Sequence, residues 1–341
     1  MYTNEDLNYA IDQGIFSKES VDEFRETLES AKRTHFVDEE NFKLVNSFND
    51  IFVVIACGLL LFSALWAVKT INEDLGLLVF TVLSWGLAEF FILKRKMALP
   101  AIALLLSFVG GTFFFVLKLF GDTSEMAFVS AAGAAAVVAY GHWWRFSVPI
   151  TMAAGAAALV GLVVSVILSI NPDAKVYLSP ALFVCGVMVF ICAMYWDASD
   201  RLRTTRNSDV AFWLHLLSAP LIIHPIFSSL GIFDGSETMI GMSVVIILYV
   251  LMTLISLVVD RRAFMVSSLA YVIFAISNIL KELGGLSYSF ALTGIVIGSA
   301  LLILSAYWHI VRVMLVNNLP LAIQRYVPSV NKKAIAPDAK R

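Results

Sequence analysis

Between Ile51 and Leu315 the chain is a near-unbroken succession of apolar runs, each long enough to cross a bilayer. A spanning helix needs about 20 mostly apolar residues. The expected fold is therefore an all-α integral membrane protein. Ten crossings are read, at roughly 51–68, 75–93, 100–119, 126–144, 150–170, 179–196, 210–230, 239–259, 264–280 and 289–315. The fourth is Ala-rich and ends in Trp143 and Trp144. The seventh carries Pro220 and Pro225 and is expected to be broken there, since proline removes a backbone donor and kinks a helix. The whole chain is 59% hydrophobic and 15% charged, against about 45–50% and 25% for soluble domains. A soluble fold of this size could not hide so much apolar surface, so the solvent is lipid.

The charges set the threading. Of the 24 Lys and Arg, 20 fall in the N-terminal segment, the even-numbered loops and the C-terminal tail. The odd-numbered loops hold only Lys69, Lys175 and Lys281, and Lys118 lies at the outer end of the third crossing. Odd loops carry acids instead: Glu73, Asp74, Asp122, Glu125, Asp173, Asp234, Glu237 and Glu282. This bias predicts both termini in the cytosol. The aromatic residues Tyr140, Trp143, Trp144, Tyr195, Trp196, Tyr307 and Trp308 fall at the same inner ends, where amphipathic rings favour the headgroup layer. The net charge of −2 gives no reason to expect a nucleic-acid partner.

Three divisions are expected: residues 1–47 as a cytosolic helical hairpin and linker, 48–316 as the ten-helix transmembrane domain, and 317–341 as a cytosolic tail, disordered at its end. In the hairpin, Leu7, Ala10 and Ile11 share a helical face and Gly14 fits a C-terminal stop. Ser17 is the N-cap of a second helix running to Arg33, with Phe16 and Val21 as a staple. Val21, Phe24, Leu28 and Ala31 form its apolar stripe. Nothing before residue 50 resembles a cleavable signal, so the first crossing is expected to act as a signal anchor. Cys57, Cys185 and Cys192 all lie inside apolar runs, which implies no disulfide framework.

An internal repeat is also readable. Ala139, Tyr140, His142 and Arg145 at the end of the fourth crossing match Ala306, Tyr307, His309 and Arg312 at the end of the tenth. Val116-Leu117-Lys118-Leu119-Phe120-Gly121 similarly matches Ile279-Leu280-Lys281-Glu282-Leu283-Gly284, and Asp50 matches Asp209. Offsets of 159 to 167 residues pair crossings one to four with seven to ten in the same orientation. Parallel repeats of this kind occur among transporters, while belt composition alone also biases such positions.

Ionisable groups within a membrane are costly and mark candidate sites. His215, His224, Asn278 and Glu89 are the candidates for a polar cavity. His215 and His224 flank Pro220, where a kink frees carbonyls that protein or water must satisfy. The plainer reading gives each His a neighbouring helix or a freed carbonyl. Glu89 is expected to pair with Lys94 or Arg95 or to snorkel to the inner interface. His142, Arg145, His309 and Arg312 are candidate contacts for an anionic headgroup at the inner interface. The chain has no HExxH, no GxSxG with partners, no P-loop and no CxxC cluster. No catalytic set, metal or cofactor is expected. Gly294 and Gly298 form a GxxxG in the tenth crossing, and Gly133, Gly155 and Gly161 lie in Ala-rich crossings, which predicts close helix packing and a homodimer as one partner arrangement.

The opening, Leu7 through Gly14-Ile15-Phe16-Ser17 to Leu28, followed by many apolar runs, resembles a group of uncharacterised bacterial membrane proteins. Those carry an N-terminal helical hairpin with a Gly-Ile-x-Ser-type turn. The resemblance implies a bacterial inner-membrane address and brings no activity or site residues. Two functions are expected. The first is transport-like binding or movement of a small or lipidic molecule. The second is a non-transporting scaffold that docks a cytosolic partner through residues 1–35. An enzyme is not expected.

Overall fold

A computed structural model describes residues 4–24, 48–121, 124–201, 203, 205–230, 239–284, 288–324 and 326–328. The chain divides into two compact units, Met1–Lys43 and Leu44–Arg341. In the first, a helix spans Asn4–Asp12. Gly14 ends it at φ +67°, with Gly14 N–H donating to Ile11 O and Ile15 N–H to Ala10 O. That is the bond pattern of a left-handed helix stop, which only glycine takes without strain. Ser17 then caps a second helix, its Oγ accepting from Ser20 N–H at 3.1 Å. The part of that helix beyond residue 24, with Leu28 and Ala31, lies outside the described residues.

The second unit is all-helical among the described residues. It holds ten spanning helices: Phe48–Lys69, Asp74–Lys94, Ala98–Leu119, Glu125–Phe146, Ile150–Ile170, Ala174–Ser199, Arg206–Ser228, Met239–Val259, Ala263–Leu280 and Phe290–Asn317. The protein is thus a polytopic α-helical membrane protein, and these helices are crossings one to ten below. Caps set several starts. Asn72 Oδ1 accepts from Asp74 and Leu75 N–H ahead of crossing two, and Ser124 Oγ accepts from Ala127 N–H ahead of crossing four.

Sequential neighbours pack on one another from crossing one to five, then six on seven, eight on nine and nine on ten. Crossing seven also packs on five and nine, and 56% of its most apolar window is buried, the largest share of any crossing. Small residues make the close contacts, as expected where lipid supplies no hydrophobic drive between helices. Ala127, Ala131, Ala132, Ala135 and Ala139 form a buried stripe on crossing four. A Cβ on Gly155 would lie 3.6 Å from Ala139 Cβ, and one on Gly161 would lie 4.0 Å from Ala132 Cβ. Gly294 and Gly298 differ, since nothing lies within 4 Å of a Cβ at either.

Crossing seven is one continuous helix through Pro220 and Pro225, which corrects the expected break. Its neighbours hold it in place. Gly186 of crossing six lies so close that a Cβ there would be 2.9 Å from the carbonyl carbon of Leu221, the residue whose C=O loses its helical donor to Pro225. Crossing two ends instead in a wide π-type turn over Glu89–Lys94, with Arg95 N–H donating to Phe90 O. Such turns insert a residue and re-aim the side chains around them.

Four non-glycine residues have positive φ among the described residues: Lys96 (51°), Ser147 (50°), Arg203 (55°) and Asp260 (61°). Each lies in a different even-numbered connection, so all share one face of the bundle. That is the basic face, where Lys and Arg concentrate. Left-handed backbone at a non-glycine residue carries a conformational cost, and here it reverses the chain over a few residues.

Candidate functional site

Among the described residues, the largest cluster of buried charged side chains lies on the basic face, around crossings six, seven and ten and the turn from eight to nine. Asp197, near the end of crossing six, is fully buried. Its Oδ2 accepts from His215 Nε2 at 2.9 Å, and its Oδ1 from Arg261 Nη2 at 2.8 Å. A carboxylate can only accept, so the His215 proton sits on Nε2. Arg261 also donates to Ser208 O at 2.9 Å, tying the eight-to-nine turn to the start of crossing seven.

The adjacent Asp260 points the other way. Its Oδ2 accepts from Arg203 Nη1 at 2.8 Å and its Oδ1 from Trp308 Nε1 at 3.0 Å, with Arg312 Nε at 3.3 Å. Arg203 Nη2 further donates to the carbonyls of Val259 and Asp260. The side chains of Arg203 and Asp260 are each 6% exposed, so this pair is desolvated. Burial and the charge of Arg261 pull the Arg203 guanidinium below its ordinary pKa, while Asp260 and Asp197 hold it up. Asp200 completes the six-to-seven connection, accepting from both N–H and Oγ of Thr205 at 2.7 Å. Thr205 in turn caps crossing seven.

Crossing ten continues to Asn317, nine residues beyond Trp308. At 1.5 Å per residue that is about 13 Å, so the eight-to-nine turn is recessed below the end of crossing ten. The chain then folds back through a short helix, Leu321–Gln324. Arg201 donates to the carbonyls of Gln324 (3.0 Å) and Val327 (3.3 Å), and Arg312 to that of Pro328 (2.8 Å). Gln324, Val327 and Pro328 are therefore held to the bundle, and 325 and 329–341 lie outside the described residues.

The four cavity candidates are not brought together. His215 is fully buried against Asp197. His224 is exposed, and its Nδ1 shares a 2.7 Å hydrogen bond with the Tyr271 hydroxyl of crossing nine. Asn278 is half-buried on crossing nine. Glu89 belongs to the other half of the bundle, where it takes a bidentate grip from Arg145 at 2.8 and 2.9 Å. That corrects the expected pairing with Lys94 or Arg95: the π-type turn carries Glu89 toward crossing four, where the Arg145 fork engages both carboxylate oxygens.

The inner-interface candidates also separate. Arg145 and His309 are exposed, whereas His142 and Arg312 are buried. His142 Nδ1 lies 3.2 Å from Thr151 Oγ1, and its ring is packed by Trp85, Phe108 and Phe146. The proposed repeat thus has matching ion pairs: crossing four's Arg145 with Glu89 of crossing two, and crossing ten's Arg312 with Asp260 after crossing eight. Their surroundings differ, and crossings seven and eight lack the extensive contact that one and two share. Trp308 is buried as a hydrogen-bond donor, which corrects its interfacial reading, while Tyr140, Trp144, Tyr195 and Tyr307 are exposed.

Asp197, Asp260, Arg203 and Arg261 escaped the sequence reading. Each stands where an apolar run stops, and there a charge reads as a loop residue. The signal available was the recurrence of Asp-x-x-Asp-Arg-x-Arg after crossing six and Asp-Arg-Arg after crossing eight. Among the described residues no group of three His, Cys, Asp or Glu could hold a metal ion. The three cysteines are free thiols. An open groove lined by Gly58, Leu59, Phe62, Ser63, Trp66 and Ala67 runs along crossing one and touches none of these polar groups. No family model, curated protein or solved structure matches the chain.

Proposed function

We propose that the protein binds or moves a small or lipidic molecule at a bacterial inner membrane, with both termini cytoplasmic, and that its buried charge network closes the basic face. The observation that carries this is the double network, Asp197–His215–Arg261 and Asp260–Arg203–Arg312. Buried ion pairs are poor sources of stability, because desolvation offsets their attraction. Their best-attested use is to hold one arrangement against another. This network joins the six-to-seven connection, the eight-to-nine turn and crossing ten, the elements that would have to part for the basic face to open. The test uses a cysteine-free background with Ser208→Cys, labelled by a membrane-impermeant thiol reagent from the basic side. Adding Arg203→Gln should speed labelling several-fold and change uptake or ligand binding by reconstituted protein. Unchanged labelling would sink the gate.

A second reading, a non-transporting scaffold, draws on the pairing of Glu89, His215 and His224 with protein partners and on the separate compact unit Met1–Lys43. Under it, deleting residues 1–35 removes a co-purifying cytosolic protein and Arg203→Gln leaves that partner bound.

A further inference from the structure

Crossing two runs out on the basic face into Lys94, Arg95 and Lys96, and no acid follows in the sequence until Asp122. The backbone here is fixed. Arg95 N–H donates to Phe90 O and Met97 N–H to Phe91 O, Lys96 has a φ of 51°, and Met97 is buried. All three cations are exposed, and none forms an ion pair with a described residue. The acids at this end of crossings one to four, Glu89 and Asp50, are engaged elsewhere: Arg145 grips Glu89, and Asp50 is buried at the start of crossing one. Lys94 Nζ and Arg95 Cζ nevertheless stand over one ring, that of Phe90, at 5.9 and 5.8 Å from its centre. The ring attracts each of them, while the two like charges repel one another. An anion set between them reverses that repulsion.

Val82, Gly86 and Phe90 recur every fourth residue and so share one face of crossing two. That face is exposed, and nothing lies within 4 Å of a Cβ placed on Gly86. Gly86 thus leaves a notch one turn from the Phe90 ring, on the membrane side of it. A basic belt needs only charge on this face of the bundle. It needs neither two cations on one ring nor an open notch beside that ring. We propose that this end of crossing two seats one anionic phospholipid, with its phosphate between Lys94 and Arg95, Lys96 alongside, and an acyl chain along Val82 and Gly86. Lys94 and Arg95 meet the phosphate, and Phe90 positions them. The site shares no residue with the charge network of crossings six to ten and does not depend on the gate.

The experiment uses the full chain in neutral detergent, stripped of lipid and titrated with dioleoyl phosphatidylglycerol or dioleoyl phosphatidylcholine. Native mass spectrometry counts the lipids bound. The first phosphatidylglycerol should bind more tightly than the first phosphatidylcholine. A basic residue beside an anionic headgroup is worth about fivefold in affinity, so Lys94→Gln and Arg95→Gln should each weaken phosphatidylglycerol by about that factor and leave phosphatidylcholine unchanged. Arg95→Lys keeps the charge and should keep most of the affinity. Gly86→Leu fills the notch and should weaken phosphatidylglycerol several-fold. Arg206→Gln removes a charge from the same face but not from this ring, and should change nothing. Equal affinity for the two lipids overturns the proposal, as does unchanged affinity in either Lys94→Gln or Arg95→Gln. An equal loss in Arg206→Gln overturns it too, because the attraction then belongs to the whole face. Unchanged affinity in Gly86→Leu overturns the seat for the acyl chain.

Thermal unfolding supplies a second measurement. The altered side chains are all exposed, so the lipid-free midpoints of the variants should match that of the parent. Phosphatidylglycerol should then raise the midpoint of the parent more than that of Arg95→Gln, and an equal rise overturns the site. Phe90→Leu keeps every charge and removes the shared ring. It should reduce the preference for phosphatidylglycerol, and a preference left whole overturns the positioning role of Phe90. The Ser208→Cys labelling response concerns other residues, so the gate and the lipid seat stand or fall separately.

Discussion

Arg203 and Asp260 are the residues at which the six-to-seven and eight-to-nine connections reverse, both with positive φ, and their side chains meet at 2.8 Å. The two most constrained backbone positions of this half of the bundle are thus joined to one another. Each turn fixes the partner of the other, and the strain of both is held by a desolvated ion pair. Removing one partner of such a pair leaves a buried charge uncompensated and costs about 3–5 kcal/mol. Asp260→Ala should therefore lower the thermal midpoint in detergent sharply. Adding Arg203→Met to Asp260→Ala should recover part of that loss, because Arg312 still faces the vacated position, and a double mutant less stable than Asp260→Ala alone would contradict the pairing.

Glu89 and Arg145 make a pair of similar length, yet their side chains are 35% and 49% exposed. Exposed pairs contribute about 0–1 kcal/mol and weaken with salt. Glu89→Gln is expected to shift the midpoint little, and the shift should shrink further at high ionic strength. A loss as large as that of Asp260→Ala would show that this end of crossing two is far less solvated than its geometry implies.

His215 and His224 lie on one helix but serve different neighbours, Asp197 of crossing six and Tyr271 of crossing nine. Their substitutions should be additive within about 0.5 kcal/mol, as for sites without shared partners. His215→Ala should cost more, because it removes a donor from a buried carboxylate. A coupling well above that limit in a double-mutant cycle would mean that the two imidazoles act as one unit.

Gly186 and Gly294 should respond in opposite ways to alanine. At Gly186 a Cβ meets Leu221 backbone at 2.9 Å, whereas at Gly294 it meets nothing within 4 Å. Gly186→Ala should destabilise by about 1–3 kcal/mol, the usual cost of overpacking. Gly294→Ala should be neutral or stabilising by up to about 1 kcal/mol, through helix propensity. If a second copy of the chain packs on that open face, Gly294→Leu should convert dimer to monomer in cross-linking without changing the monomer's midpoint.

The threading has its own test. Reporters active only in the cytosol, fused near residues 122 and 234, should stay dark, and fusions at either terminus should be active. The reverse pattern would invert the assignment of the basic face.

The ten crossings were legible because lipid demands long apolar runs, and a run is a local property of sequence. The Ser17 cap and the Gly14 stop were legible for the same reason. The charge network was not. Asp197 finds Arg261 across 64 residues and Asp260 finds Arg203 across 57, and hydropathy carries no information about such pairings. The grip of Arg201 and Arg312 on the carbonyls of Gln324, Val327 and Pro328 was equally invisible, since backbone acceptors leave no mark on hydropathy. The continuous path of crossing seven depends on Gly186, a residue on another helix, so no inspection of Pro220 and Pro225 alone could have found it.

Only Asp260, Arg261 and Arg262 separate Val259 from Ala263. That leaves no slack for crossings eight and nine to enter the bilayer one after the other. So tight a corner favours their entry as a hairpin, with the aspartate and arginines at its apex. Lengthening that apex would uncouple the two insertion events, and the mature protein would inherit a loop where it now has a fixed corner.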